Sequence, residues 1–235
     1  MTKFTILLFF SLFFVCSYAV SAQSTVINTS STDTLEEGFF YIEADFAAHF
    51  DKYRNGGFQS YGSRMVYGFK RKFEAGANFF YTRDGSRPAP KEFQANAKWQ
   101  PYQNERRKIA FSTGVQLFVP LDKSAGRRPF AVVNGNGSKV FNPTNGTRVT
   151  AGFYQTIGAE KDFGTKRGAT LAVEQPISRR FSFAADWSSG NNRFGYTAAG
   201  LNFNPTPRHL VFAGYNFGNS GRGNNSFITY YGYTF

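Results

Sequence analysis

The chain has 235 residues, including 29 Phe, 13 Tyr and 24 Gly, with 27 Lys and Arg against 15 Asp and Glu for a formal net charge of +12. After residue 22 no apolar run approaches the roughly 20 residues that a membrane-crossing helix needs, which excludes a helical membrane protein. A single cysteine, Cys16, excludes a disulfide framework and a thiolate metal site.

Met1 to Ala22 carries one charge, Lys3, then the apolar run FTILLFFSLFFVC and the small residues of SYAVSA. This pattern predicts a secretory signal peptide over residues 1–22, its apolar run being too short to span a bilayer as a helix. Phe14 and Val15 stand before Cys16, where a lipid-attachment signal would present a small residue, so the thiol is expected to leave with the signal. Residues 23–37, QSTVINTSSTDTLEE, are polar and without periodicity. They are expected to form a short tail outside the folded domain.

From residue 38 a period of two takes over. In GFFYIEADFAAHF, Phe40, Ile42, Ala44, Phe46, Ala48 and Phe50 share one face, and Tyr41, Glu43, Asp45, Ala47 and His49 the other. Such alternation is that of a strand with one apolar side. It recurs near 59–70, 73–83, 91–101, 108–120, 129–141, 148–160, 168–177, 181–190, 194–204, 209–218 and 226–235. The count is twelve strands, with ten or fourteen as neighbouring possibilities, because Asn and Gly interrupt the sixth, PFAVVNGNGSKVF. The connections alternate as well. KRK, PYQNERRK, NPTNGT, SRR and NPTPR follow the even strands, and longer polar, Gly-rich stretches such as DGSRPAP and DKSAGRR follow the odd ones. An even strand count with short turns on one side and longer loops on the other is hairpin arithmetic for an antiparallel up-and-down barrel over residues 38–235.

The signal segment, the repeated hairpins and the closing SFITYYGYTF, with Tyr231, Tyr233 and Phe235 on one face, together resemble a Gram-negative outer-membrane β-barrel of porin-like architecture. The resemblance covers essentially all of the chain after the signal and points to no particular subfamily. It implies an all-β transmembrane barrel in the bacterial outer membrane, with residues 23–37 a periplasmic tail. It also implies that Tyr231, Tyr233 and Phe235 form an assembly signal read by the barrel-assembly machinery. Closure is the only strand-built solution in lipid, since an open edge leaves backbone groups unsatisfied.

Inward positions then supply the candidate pore-lining residues Glu43, Asp45, Arg64, Glu74, Lys98, Glu174 and Asp186. Strand order puts Asp45 opposite or nearly opposite Arg64, and Glu74 diagonal to Lys98. Glu43, Glu174 and Asp186 are left without an obvious basic partner, so the wall is expected to keep an acidic excess. Glu174 and Asp186 flank the SRR turn at a spacing compatible with an acid/base couple or a calcium site. The reading preferred is two hydrated wall carboxylates, because lumen strands are ordinarily polar.

A lipid-cleaving barrel needs a nucleophile beside a histidine. The only histidines, His49 and His209, fall at opposite ends, with Ser60 or Ser63 the nearest partners for His49, so no enzymatic activity and no cofactor are expected. Loop cations such as Arg83, Arg127 and Arg193 suit lipopolysaccharide phosphates. Nucleic acid is not an expected partner of an exported chain whose aromatics lie on outer faces. These features predict a narrow passive channel for small polar solutes or ions, with a structural or surface-interaction barrel of blocked lumen as the alternative.

Overall fold

The computed structural model describes residues 25–141, 146–219 and 225–235. The expected signal segment and parts of the NPTNGT and NSGRGNN connections lie outside them. Twelve strands form: β1 (Phe40–His49), β2 (Phe58–Phe69), β3 (Phe73–Arg83), β4 (Lys91–Asn104), β5 (Ile109–Pro120), β6 (Phe130–Val140), β7 (Arg148–Ile157), β8 (Arg167–Pro176), β9 (Phe181–Ser188), β10 (Tyr196–Phe203), β11 (His209–Gly218) and β12 (Ser226–Thr234). Each pairs antiparallel with its chain neighbours, and β12 returns to β1, so the sheet closes. The seam is full-length: Tyr41 faces Thr234, Ala48 faces Phe227, and the Phe235 amide donates to the Phe40 carbonyl at 2.8 Å. With no free edge, the backbone groups of every strand find partners within the ladder.

The sixth strand forms despite its Asn and Gly residues because pairing with Val-, Phe- and Thr-rich neighbours on both sides overrides its weak intrinsic preference. β4 outruns its expected end at residue 101. Its register with β5 slips by one residue between Trp99 and Tyr102, and Pro101, which has no N–H to give the ladder, falls within that bulge. The slip returns Tyr102 to the outer face beside Trp99, while Gln100 stays buried inside.

Burial is inverted relative to a water-soluble protein. Phe111, Phe153, Leu171, Trp187, Leu201 and Phe217 stand exposed on the outer face, Phe153 at 61%. Glu43, Glu74, Asn78, Gln94, Lys98, Ser112, Asn136, Asp186 and Asn216 are buried within, Glu74 at 1%. A contiguous apolar belt of this kind is not tolerated in water. In hydrocarbon each such Phe or Leu contributes roughly 1.5 to 3 kcal/mol by area transfer.

Inside the wall lies a segment the sequence places elsewhere. Of residues 25–37, expected as a polar tail outside the barrel, 25–35 run through the lumen and Glu36 and Glu37 lie exposed at the rim. Val26 and Ile27 are buried against Ala172, Ala184, Ala198, Leu210, Phe212, Ile228 and Tyr230, all on β8–β12. Leu35 packs on Tyr41 and Val66 near the rim that carries both strand termini. The segment turns tightly at its start, with the Val26 amide donating to the Thr29 carbonyl at 2.8 Å and Thr25 bridging to Ser30. Three apolar side chains in an otherwise polar stretch are the physical reason for the correction: they find an apolar lining inside one half of the barrel, and the polar residues between them find the rest of the wall.

Gly68 makes the entry possible. It faces inward on β2, where a Cβ would lie 2.0 Å from the Glu36 carbonyl oxygen and 2.6 Å from that of Leu35. Only a residue without a side chain lets the backbone of 35–36 pass so close to the wall.

Candidate functional site

The lumen is the only part of a closed barrel where polar side chains converge, and alternation along each strand decides which reach it. Three of its features were expected and rearranged. Glu43 sits directly opposite Arg64 and pairs with it at 3.2 Å, whereas Asp45 falls opposite Gly62. Arg64 thus serves the carboxylate one step away from the one expected, and Glu43 is not an unpartnered acid. Glu74 and Lys98 are direct rather than diagonal cross-strand partners, 3.2 Å apart and both buried.

The two acids flanking the SRR turn do not form a couple. Glu174 lies opposite Arg148 on β7, with a 3.6 Å contact. Arg148 also pairs with Asp33 of the luminal segment. Asp186 accepts hydrogen bonds from the backbone amides of Asn28 and Thr29, each at 2.6 Å. Glu43 and Glu174 are therefore partnered by Arg64 and Arg148, and Asp186 by backbone dipoles, while Asp45 loses the cation expected for it and keeps one buried carboxylate oxygen without a hydrogen-bond partner. Arg148 escaped the sequence reading because it opens its strand directly after a turn, where basic residues are common.

The luminal segment is tied to the wall along its length. The Leu35 amide donates to Glu74 at 2.6 Å, Gln100 donates to the Thr32 carbonyl at 2.9 Å, and Thr32 shares a 2.6 Å hydrogen bond with Ser138. Ser112 donates to the Ser31 carbonyl at 3.1 Å, Asn28 to Asn216 at 3.0 Å, and Arg64 to the Thr25 hydroxyl at 3.3 Å. The pore-lining candidates Arg64, Glu74, Lys98, Glu174 and Asp186 thus all stand within the network that surrounds this segment. The signal for it in the sequence is the pairing of Val26-Ile27 with a distant Leu35, set in a region otherwise without apolar residues.

The opposite rim carries inward aromatics that outer-face alternation did not anticipate. Phe118 stacks on Phe130 with centroids 4.6 Å apart, and Phe194, from the connection between β9 and β10, packs 5.3 Å from Phe118. That connection folds into the mouth. Asn192 donates to the Tyr154 hydroxyl at 2.8 Å, and Arg193 makes a two-pronged contact with Glu92 at 2.8 and 3.0 Å. The Arg193 guanidinium also lies 5.3 Å from the Phe118 ring centre. Arg193, read from sequence as an outward loop cation, is engaged at the mouth instead. Bidentate contact with a carboxylate and a ring face nearby is the geometry arginine favours.

Neither Ser60 nor His209 has the partner a triad would need among the described residues. Ser60 shares a 2.9 Å hydrogen bond with Thr82 and not with His49, while His209 meets the Tyr231 hydroxyl at 2.7 Å at the other end of the barrel. At the C-terminus Tyr233 and Phe235 pack edge to face with centroids 4.7 Å apart, and Phe235 lies 6.1 Å from Phe40 across the seam.

No family model and no curated protein matches the sequence. Solved structures do match in fold. A KdgM porin is similar over 83% of this chain and 99% of its own, with a TM-score of 0.63 at 7% identity. An outer-membrane channel from Pseudomonas putida F1 is similar over 87% of this chain and 98% of its own, with a TM-score of 0.58 at 14% identity. A KdgM porin in complex with disordered oligogalacturonate gives a TM-score of 0.55 at 7% identity. At these identities the likeness is one of fold, shared with a porin and an outer-membrane channel over nearly their whole lengths.

Proposed function

We propose that the chain is a bacterial outer-membrane barrel acting as a passive channel for small polar solutes, and not an enzyme, with residues 25–37 as an internal stopper. The observation that carries this reading is the inside-out barrel itself, whose apolar belt faces outward and whose polar interior is crossed by a segment outside the strand ladder. Because backbone groups of 25–35 are held chiefly by side chains of the wall, the segment is able to leave without breaking a strand. The rim bearing both strand termini faces the periplasm, and Arg64, Glu74, Lys98, Glu174 and Asp186 line the path it vacates. Tyr231, Tyr233 and Phe235 serve the barrel-assembly machinery, and the loop cations other than Arg193 face lipopolysaccharide.

The aromatic closure at Phe118 and Phe194 favours a second reading, a barrel permanently closed and used as a structural or surface element. Planar-bilayer recordings separate the two. The full chain is expected to show infrequent discrete current steps, and a chain lacking residues 25–37 larger and more frequent ones. Silence from both, with the barrel shown closed by its heat-dependent gel shift, would leave only the second reading.

A further inference from the structure

Val26 and Ile27 press the luminal segment against β8–β12, which leaves space on the opposite side. There a cavity of about 140 Å³ lies between Thr25, Asn28, Thr29 and Ser30 on one hand and chiefly the inner faces of β2–β7 on the other, with Thr170, Ser188 and Tyr196 of β8–β10 completing its lining and Phe194 of the inward-folded connection at its mouth. One water needs roughly 10 to 15 Å³ on this measure, so the chamber holds several waters or one small solute.

Its wall sets carboxamides among apolar side chains such as Val66 and Val132. Asn78 on β3, Asn96 on β4, Gln116 on β5 and Asn134 and Asn136 on β6 all line it. They are oriented by one another: Asn96 donates to Asn78 at 3.4 Å and Asn136 to Asn134 at 3.0 Å, while Asn78 and Gln116 both donate to Gln94, at 3.0 and 2.6 Å. Among the described residues the amide oxygens of Asn96 and Gln116 and the amide nitrogen of Asn134 have no protein partner, so donors and acceptors remain available around one space. The cations on this wall, Arg64 and Lys98, each pair with a glutamate at 3.2 Å, and the chamber presents no uncompensated charge. Phe118 and Tyr154 add aromatic side chains to the lining.

We infer that this chamber is a binding site for a neutral polyhydroxylated solute of about monosaccharide size. A carboxamide offers both a donor and an acceptor, as a hydroxyl does, so a wall of amides satisfies a ring of hydroxyls without a net charge on either side. A ring face covers the apolar C–H side of such a solute. A carboxylate-bearing sugar, by contrast, meets Glu74 behind its partner, and both cations that line the chamber, Arg64 and Lys98, are already engaged by glutamates. The inference rests on the channel reading for its biological sense, since it names what pauses in the lumen.

The test uses the full mature chain in detergent and saturation-transfer NMR with D-glucose and its carboxylate counterpart D-glucuronate. Glucose is expected to bind, glucuronate about tenfold or more weakly. Asn134→Leu is expected to weaken glucose about tenfold, the scale of one or two hydrogen bonds between neutral groups. Asn202→Leu, the same change at a buried inward position of β10 away from the chamber, is expected to leave binding intact. If Asn134→Leu fails the heat-dependent gel shift, Asn96→Leu takes its place. The inference is overturned by absence of glucose binding, by glucuronate binding as tightly as glucose, or by equal effects of the Asn134 and Asn202 substitutions. Glucose binding by a chain that never conducts would sink the channel and keep the site, and conduction without glucose binding would do the reverse.

Discussion

Replacing Gly68 with Ala distinguishes a barrel whose lumen is occupied from one whose lumen is empty by the sign of its effect. Gly68 sits in extended backbone opposite Glu74, where Ala adopts the same conformation and restricts the unfolded chain, a change that ordinarily stabilises by about 0.4 to 1 kcal/mol. With the luminal segment seated, the added methyl would stand 2.0 Å from the Glu36 oxygen. That oxygen belongs to backbone and cannot swing aside as a flexible side chain does, so the collision costs about 1 to 3 kcal/mol of overpacking. A penalty of that size shifts the balance between seated and unseated segment roughly 5- to 150-fold. The assay is the midpoint of heat-dependent gel mobility for Gly68→Ala in two backgrounds, the chain from residue 23 onward and the same chain lacking residues 25–37, together with open probability in bilayers. The expected result is a lowered midpoint and higher open probability in the full chain, and an unchanged or raised midpoint in the shortened one. A raised midpoint in both backgrounds would refute the seating of residues 35–36 against β2.

Asp186→Ala removes the acceptor of two backbone amides and is expected to speed hydrogen exchange at Asn28 and Thr29 by roughly 30-fold or more, about 2 kcal/mol of lost charge-assisted bonding; unchanged protection would mean the segment is held from elsewhere. Lys98→Met leaves the buried Glu74 without its cation and is expected to cost about 3 to 5 kcal/mol in a urea titration, most of it recovered by adding Glu74→Gln. Because Glu43 and Glu174 are paired and Asp45 is not, reversal potentials in a salt gradient are expected to show a slight cation preference; Arg64→Gln is expected to enlarge it, the increase fading as salt screens the freed Glu43, and an anion preference in the unaltered chain would contradict the pairing. Deleting Phe235 is expected to spare refolding in detergent but to reduce outer-membrane levels in cells, and equal levels would reduce the residue to one more outer aromatic.

The wall was legible in the sequence because its signal is local. Alternation such as Phe93, Ala95, Ala97, Trp99 against Gln94, Asn96, Lys98, Gln100 repeats in every hairpin, and strand existence follows from each hairpin alone. Register was less legible. Whether Arg64 meets Glu43 or Asp45 turns on the length of the connection after His49, and a shift of two residues keeps every side chain on its own face, so alternation is blind to it. The bulge at Pro101 is hidden for a related reason, since one added residue is absorbed between two otherwise regular halves of β4. The contents of the lumen were least legible. Residues 25–37 have no period to read because they form no strand of the wall, and their partners Asp186, Asn216 and Ser138 lie far along the chain. The inward Phe118 and Phe194 break the rule that aromatics face outward, and only the folded position of the β9–β10 connection explains them.

The internal position of residues 25–37 also constrains the order in which the molecule can be put together. Hydrogen bonds from Asn28 to Asp186 and to Asn216 span 158 and 188 positions of sequence, so the earliest-made part of the barrel domain waits for β9 and β11 before it has anywhere to dock. Yet once β12 zips onto β1 along its whole length, the wall has no gap through which a chain can be laid sideways. The segment must therefore be gathered in while the sheet is still an open, curling ribbon, or be fed lengthwise through a rim afterwards. In the first case it acts as a former around which the ribbon curls, and its apolar residues help to set how tightly twelve strands wind.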